Sequence, residues 1–161
     1  MSSQQNTIDL DELKAFLLNA NMPHATGTAT TTKEADGSRT IEFNDGEYRM
    51  HDNFFGGEPY GGRLVVFYEN KPLFIEVYYG QTSKPAEEVY TFLREALQHP
   101  DPQNPYRGPA EYTKNSLTYK SVTKGTVANH TVEEFIFDSG KEIYSAVIIG
   151  GLVDQHAQGA M

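Results

Sequence analysis

Apolar residues recur at helical spacing in two stretches of the chain. The first stripe contains Leu10, Leu13, Phe16, Leu17 and Ala20. The second stripe contains Val89, Phe92, Leu93, Ala96 and Leu97. Each set falls along one face of an α-helix, so the pattern predicts two amphipathic helices, one beginning near Asp9 and one over residues 83–99. Thr7 or Asp9 is placed to cap the first helix, and Pro23 is expected to end it.

The remaining apolar residues alternate with polar ones or form short runs, which is typical of β-strands. The candidate strands are residues 28–33, 40–43, 47–55, 64–68, 73–79, 117–123, 129–137 and 142–152. The turn sequences ENKP and DSGK predict hairpins, and hairpins pair antiparallel. Strands 64–68 and 73–79 are apolar on both faces and are expected to be central and covered. The order of elements predicts an α+β fold: a single curved, mainly antiparallel sheet of about six to seven of these strands, with two helices packed on one face.

Length and composition predict one domain. The chain has 161 residues, of which 38% are hydrophobic and 12% aromatic, enough for a single core. We therefore expect one α+β domain over residues 1–161, with polar frayed ends at about 1–6 and 155–161. No internal repeat is visible.

Charge and cysteine content exclude several functions. The chain has 22 acidic and 13 basic residues, a net charge of −9, and shows no basic stripe. Direct nucleic-acid binding and binding to anionic membranes are therefore not expected. The absence of cysteine excludes disulfides, Cys-based metal sites and Cys nucleophiles. Together with a polar start that lacks a signal-peptide pattern, it favours a cytoplasmic location.

The stretch FFGGEPYGGR, residues 54–63, holds four glycines between two predicted strands. A phosphate-binding loop would run into a helix N-terminus, whereas these glycines join strand to strand. Gly56, Gly57, Gly61 and Gly62 are better explained as structural, providing positive φ angles and bulges where the sheet bends. A binding role for the same backbone is compatible with that interpretation.

Several motifs occur in a characteristic order. They are Asp52, Phe55, Gly56, Gly57 and Glu58; then Tyr78, Tyr79 and Gly80; then Tyr106, Arg107, Gly108 and Pro109; then Gly150 and Gly151. Over nearly the whole chain this ordered set resembles the bacterial family called domain of unknown function 5680. The resemblance implies no established activity. Some members are attached to an Xre-type helix-turn-helix, and this chain is expected to be the stand-alone form.

Charged residues fall on strand faces that are otherwise apolar. Asp52 lies on the inward face of its predicted strand, and Glu76 interrupts another apolar strand. Because a buried carboxylate needs a partner, Arg63 and Arg107 are the natural candidates. Such pairs are either structural ion pairs or the polar centre of an aromatic pocket. The candidate ligand-binding residues are Asp52, Glu58, Tyr60, Arg63, Glu76, Tyr78, Tyr106 and Arg107.

No residue pattern assigns catalysis or a cofactor. The five histidines show no metal-ligand spacing, and no serine lies in a nucleophile-elbow context. We therefore predict no catalytic residue, no metal and no cofactor.

Three functions stay open at this level. The first is a small-molecule-binding or sensor-type module with an aromatic pocket, favoured by the tyrosines and by the family's attachment to DNA-binding partners. The second is a protein-interaction module, including a homodimer, that acts through the acidic surface or the Thr-rich edge segment 26–33. The third, which is less favoured, is an enzyme that uses Asp52, Glu58 or Glu76 as acid or base.

Overall fold

A computed structural model of the chain describes residues 8–154, so the predicted frayed ends at about 1–6 and 155–161 lie outside the described residues. Within residues 8–154 the chain forms two helices and nine strands. They are α1 (Leu10–Thr26), β1 (Thr31–Lys33), β2 (Arg39–Asp45), β3 (Tyr48–Gly56), β4 (Tyr60–Tyr68), β5 (Lys71–Thr82), α2 (Ala86–Ala96), β6 (Glu111–Lys114), β7 (Leu117–Thr126), β8 (Asn129–Asp138) and β9 (Lys141–Leu152).

All nine strands form one antiparallel sheet in the order β1-β2-β3-β4-β5-β9-β8-β7-β6. This confirms the predicted α+β class and the antiparallel pairing, but the predicted number of six to seven strands is wrong. Among the nine strands, the one without a candidate segment is β6, an edge strand of four residues, whereas the edge strand β1 forms three residues of the candidate segment 28–33. Strand β6 is too short to show an alternating pattern, so its sequence resembles that of a connecting loop. It pairs with β7 in the antiparallel sense.

Helix α1 begins as predicted and ends later than predicted. The Asp9 carboxylate accepts hydrogen bonds from the backbone N–H groups of Asp11 (3.0 Å) and Glu12 (3.1 Å), as an N-cap should. Pro23 lies inside the last turn and does not end the helix. The end comes at Gly27, whose φ of 73° allows its N–H to reach back to the carbonyls of the last turn.

Helix α2 covers a shorter segment than the predicted residues 83–99. It begins after Pro85 and ends at Ala96. Its buried residues are Val89, Phe92, Leu93 and Ala96, all members of the predicted apolar stripe.

Both helices pack on the same face of the sheet, which we call the helix-covered face. Ile148 of β9 lies in the core under α1, and its strand neighbours Tyr144 and Ala146 lie in the core under α2. The opposite face, here the open face, is not covered by a helix among residues 8–154. Strands β4 and β5 are therefore central as predicted but covered on one side only, and Val77 and Tyr79 are 50% and 55% exposed.

The β4–β5 and β8–β9 hairpins repeat one geometry. Their turns, at residues 69–70 and 139–140, all have positive φ angles, and their register shifts lie at residues 66/67 and 136/137. Each feature recurs 70 positions later in the chain. The two hairpins meet where β5 pairs with β9, with Tyr78 opposite Ile148, which is also a separation of 70 positions. The fold thus contains a repeat that the side chains do not display.

No helix within residues 8–154 is both long enough and apolar enough to cross a membrane.

Candidate functional site

A cavity of about 520 Å³ lies on the helix-covered face, between the two helices and strands β2 to β5. Its aliphatic wall is formed by Ile41, Met50, Leu64, Leu93, Leu97 and Ile148. Its tyrosines are Tyr60, Tyr78, Tyr90 and Tyr106. A volume in this range, with an apolar wall and a few polar groups, is typical of small-molecule sites.

Three of the four tyrosines form a connected aromatic wall. The ring centroid of Tyr60 lies 6.0 Å from that of Tyr78 and 5.8 Å from that of Tyr90, and the latter pair meets edge to face. These are favourable aromatic contacts that fix the ring positions without filling the space. Gly62 makes room for this wall, because an added Cβ there would lie 2.7 Å from the Tyr78 hydroxyl.

Asp52 is a half-buried carboxylate on the cavity wall. The Tyr78 hydroxyl donates to its Oδ1 at 2.5 Å, and no other described residue donates to this side chain. Burial raises the pKa of Asp52 to about 6, an effect that the Tyr78 hydrogen bond and the Arg107 charge reduce and the nearby Glu76 charge adds to. The predicted ion pair between Asp52 and an arginine is therefore not formed, and tyrosine takes the place of arginine.

Glu76 is buried beside the same cavity and pairs with a histidine. Its Oε1 lies 3.2 Å from Nε2 of His130, whose Nδ1 lies 3.1 Å from the Thr126 carbonyl. Since a carbonyl can only accept, Nδ1 carries a proton. Burial raises the pKa of Glu76, while the hydrogen bond and charge of His130 act in the opposite direction. The His130 ring also stacks on Tyr106 with centroids 4.1 Å apart, which holds Tyr106 against the cavity.

Arg107 is held by Glu134, a residue that the sequence analysis did not single out. Its Nε lies 3.1 Å and 3.2 Å from the two carboxylate oxygens of Glu134, which is fully buried. Tyr119 and Tyr144 donate to the same oxygens at 2.7 Å and 2.8 Å. Burial alone would lower the pKa of Arg107, but Glu134 and the surrounding tyrosines Tyr60, Tyr144 and Tyr119 together outweigh burial and raise the pKa well above its ordinary value. The expected pairing of Arg107 with Asp52 or Glu76 is therefore replaced by a pairing with Glu134.

Tyr60 joins this network to the cavity. Arg107 donates from its terminal nitrogen to the Tyr60 oxygen at 3.3 Å, and the Tyr60 and Tyr144 hydroxyls lie 2.5 Å apart. Because the single Tyr144 proton is used for Glu134, Tyr60 must donate to Tyr144. This hydrogen-bonded network joins Arg107, Glu134, Tyr119, Tyr144 and Tyr60. Glu134 is fully buried within it, whereas Arg107 and Tyr60 form part of the cavity wall.

Two predicted site residues lie outside the cavity. Arg63 is exposed on the open face of β4, since its neighbour Leu64 points to the cavity. Glu58 accepts from the backbone N–H of Thr82 at 3.0 Å and from the Tyr90 hydroxyl. It therefore positions Tyr90, a tyrosine of the cavity wall, without lining the cavity itself. The other six candidate residues line one cavity: Asp52, Tyr60, Glu76, Tyr78, Tyr106 and Arg107.

The glycines of residues 54–63 have different roles. Gly56 adopts a φ of 77°, where a side chain is strained, and it lines the cavity together with Gly57. Gly61 and Gly62 lie within β4 at ordinary φ angles, opposite the aromatic residues of β3 and β5. Positive φ therefore explains only Gly56, whereas Gly62 is explained by the close approach of the Asn53 backbone carbonyl and of the Phe54 and Tyr78 side chains.

Two exposed arginines border the cavity and were not predicted. Arg39 begins β2 and Arg94 lies in the last turn of α2. His24 of α1 borders it as well. The residue as a whole is exposed, yet its pKa is lowered to about 4 because the ring is partly shielded from solvent and because Arg107 and Arg94 repel a positive charge.

The alternation in β8 contained a signal for the missed network. Positions 130, 132, 134 and 136 share one strand face, and Val132 and Ile136 mark that face as buried. His130 and Glu134 must therefore be buried too. No comparable signal exists for Arg39 and Arg94, which only the tertiary fold brings to the cavity.

No group of three or more His, Cys, Asp or Glu residues within residues 8–154 is arranged to hold a metal ion. The polar groups at the cavity are instead hydrogen-bond donors and acceptors on an apolar wall.

Comparison with known proteins identifies a family. The model of the family described as Domain of unknown function (DUF5680) matches residues 52–153, more than half of the chain. The matched segment runs from the middle of β3 through β9 and therefore includes most of the cavity wall. Neither the curated proteins nor the solved structures include a significant match.

Proposed function

The chain belongs to the DUF5680 family, and we propose that it is a small-molecule-binding module whose ligand occupies the cavity between the two helices. The observation that carries this proposal is the combination of about 520 Å³ of space with an aromatic wall and a few fixed polar groups.

A thermal-shift screen against a metabolite library tests the proposal. A ligand present at about 100 times its Kd stabilises a protein by about 2.7 kcal/mol, which is readily detected. Ile148→Phe fills part of the cavity, whereas Ile149→Phe adds the same ring to the open face, where Ile149 is 55% exposed. The hits are expected to stabilise the wild type and Ile149→Phe but not Ile148→Phe. Hits that are insensitive to Ile148→Phe would contradict the proposal.

A second candidate function is acid–base catalysis by Asp52. It is favoured by the raised pKa of about 6 on a carboxylate that faces the cavity and is not neutralised by an arginine. Such a group can exchange a proton near neutral pH, and the Tyr78 hydroxyl fixes its orientation.

Turnover separates catalysis from binding. A metabolite mixture is incubated with the wild type and with Asp52→Asn and is then analysed by mass spectrometry. Catalysis predicts a compound that is consumed by the wild type and not by Asp52→Asn, although both proteins bind it. Binding without consumption by the wild type would leave the sensor-type function alone. The remaining alternative, protein interaction through the acidic surface or edge segment 26–33, stays a prediction.

A further inference from the structure

The charges around the cavity indicate what kind of molecule it takes. Arg39 and Arg94 both border the cavity, come from separate elements and are exposed. Among residues 8–154, no acidic side chain lies within 4 Å of either guanidinium group. The position of Arg94 near the end of α2 also suits the helix dipole, but no such reason applies to Arg39.

The inner polar groups are already paired. Arg107 is bound to Glu134, Glu76 to His130, and Asp52 accepts from Tyr78. A carboxylate such as Asp52 would repel an anion placed beside it at neutral pH. An anionic group is therefore favoured at the exposed arginines and disfavoured deeper inside, where the wall is aliphatic and aromatic.

Building on the proposed function, we propose that the ligand is an amphipathic organic anion. Its apolar or aromatic body lies between the tyrosines and the aliphatic wall, and its carboxylate, sulfonate or phosphate group lies at Arg39 and Arg94. Guanidinium groups bind such anions through two parallel N–H donors, a geometry suited to the rim of an apolar cavity.

A matched pair of fluorescent probes tests this inference. N-phenyl-1-naphthylamine is neutral, and 8-anilinonaphthalene-1-sulfonate has the same aromatic body with one sulfonate added. Kd values are measured for both probes on the wild type, on Arg39→Gln/Arg94→Gln, and on Ile148→Phe. Arg63→Gln is the control, since it removes an exposed arginine from the open face.

We expect the sulfonate probe to bind the wild type about tenfold more tightly than the neutral probe, as one charge-assisted hydrogen-bonding contact allows. The double variant should lose this advantage and keep its affinity for the neutral probe, while Arg63→Gln should keep both. Ile148→Phe should weaken both probes.

Other outcomes separate the two proposals. Equal affinity of the two probes in the wild type, or a sulfonate advantage that survives in the double variant, would overturn the anion inference. If Ile148→Phe still weakens both probes in that case, cavity binding stands. If Ile148→Phe weakens neither probe, the probes bind elsewhere and both the inference and the proposed function fail.

Discussion

Asp52 and Glu134 are carboxylates on the same face of one sheet, but they differ in burial and in the number of groups that donate to them. Glu134 is fully buried and accepts from Arg107, Tyr119 and Tyr144. Asp52 is half-buried, faces open space and accepts from Tyr78 alone. The network around Glu134 leaves no acceptor for an incoming molecule, whereas Asp52 keeps one oxygen without a donor among the described residues.

The two halves of the sheet show how such a difference arises on one backbone geometry. The β4–β5 and β8–β9 hairpins repeat with a separation of 70 positions, so that Glu134 occupies the place of Leu64 and Ala146 the place of Glu76. One half has its charge saturated by tyrosines and an arginine. The other half has aliphatic residues around a cavity, and its carboxylate Asp52 keeps one oxygen without a donor among the described residues. The environment, and not the residue type, then decides whether a carboxylate is structural or available for binding.

The largest expected effect comes from breaking the closed network. Glu134→Gln removes the counter-charge of Arg107 and presents an amide donor to groups that are themselves donors. We expect the free energy of unfolding to fall by about 3 to 5 kcal/mol, measured by urea denaturation. Glu133→Gln is the matched control, since the neighbouring Glu133 is exposed. A loss below about 1 kcal/mol, equal to that of the control, would mean that the network is not structural.

Adding volume should distinguish the packed region from the open one. Ile136 is fully buried under α2, and Ile136→Phe should cost about 1 to 3 kcal/mol through overpacking. Ile148 borders the cavity, so the larger ring has space and Ile148→Phe should cost less than about 1 kcal/mol. Both are measured by urea denaturation. Equal losses would indicate that the cavity does not exist in solution.

The raised pKa of Asp52 predicts a specific pH dependence of stability. Between the unfolded-state pKa near 4 and the folded-state pKa of about 6, the folded state holds a proton that the unfolded state releases. The contribution of Asp52 to the free energy of unfolding is therefore present at low pH and is lost as the pH rises through 6. Relative to the wild type, Asp52→Asn should gain about 1 to 3 kcal/mol in free energy of unfolding between pH 4 and pH 7.5.

Asp36→Asn is a control of opposite sign. Hydrogen bonds from Ser38 lower the pKa of Asp36, so its contribution is present above the unfolded-state pKa and is lost as the pH falls. On acidification, the free energy of unfolding of the wild type should therefore fall relative to that of Asp36→Asn and rise relative to that of Asp52→Asn. The same trend in both variants would show that burial of Asp52 does not control its proton.

The smallest expected effect concerns the one hydrogen bond to Asp52. The Tyr78 hydroxyl stabilises the ionised carboxylate, so Tyr78→Phe should raise the pKa of Asp52 further, by about one unit above about 6. The measurement is an NMR titration of the Asp52 side-chain carbon. Tyr106→Phe removes another cavity hydroxyl that makes no described hydrogen bond to Asp52 and should leave the pKa unchanged. An unchanged pKa in Tyr78→Phe would mean that this hydrogen bond is absent in solution.

Local patterns in the sequence predict most of the elements and part of the site. Alternation and turn residues identify the long strands, and helical spacing identifies both helices, because these depend on neighbours along the chain. The inward position of Asp52 and Glu76 follows from the same alternation. These local patterns miss the short edge strand β6, which has four residues, and the last turn of α1 after Pro23.

Partners across the sheet were harder to predict. Arg107 lies far in sequence from Asp52, Glu76 and Glu134, and which carboxylate it meets depends on strand order. The position of Arg63, in contrast, depends only on its own strand. The alternation that turns Leu64 inward turns Arg63 to the open face. Arg39 of β2 and Arg94 of α2 meet at one cavity only because the tertiary fold brings these two distant elements to it, which no local pattern encodes.

The most direct test of the central claim is a methyl NMR spectrum of the protein labelled at Ile and Met, recorded with and without N-phenyl-1-naphthylamine. Met50, Ile41 and Ile148 border the cavity, whereas Ile136 and Ile143 lie in the packed region under α2. Binding in the cavity predicts that the first three methyl signals shift and that the other two stay unchanged. Shifts confined to Ile149 on the open face, or no shifts at all, would contradict the cavity as a binding site.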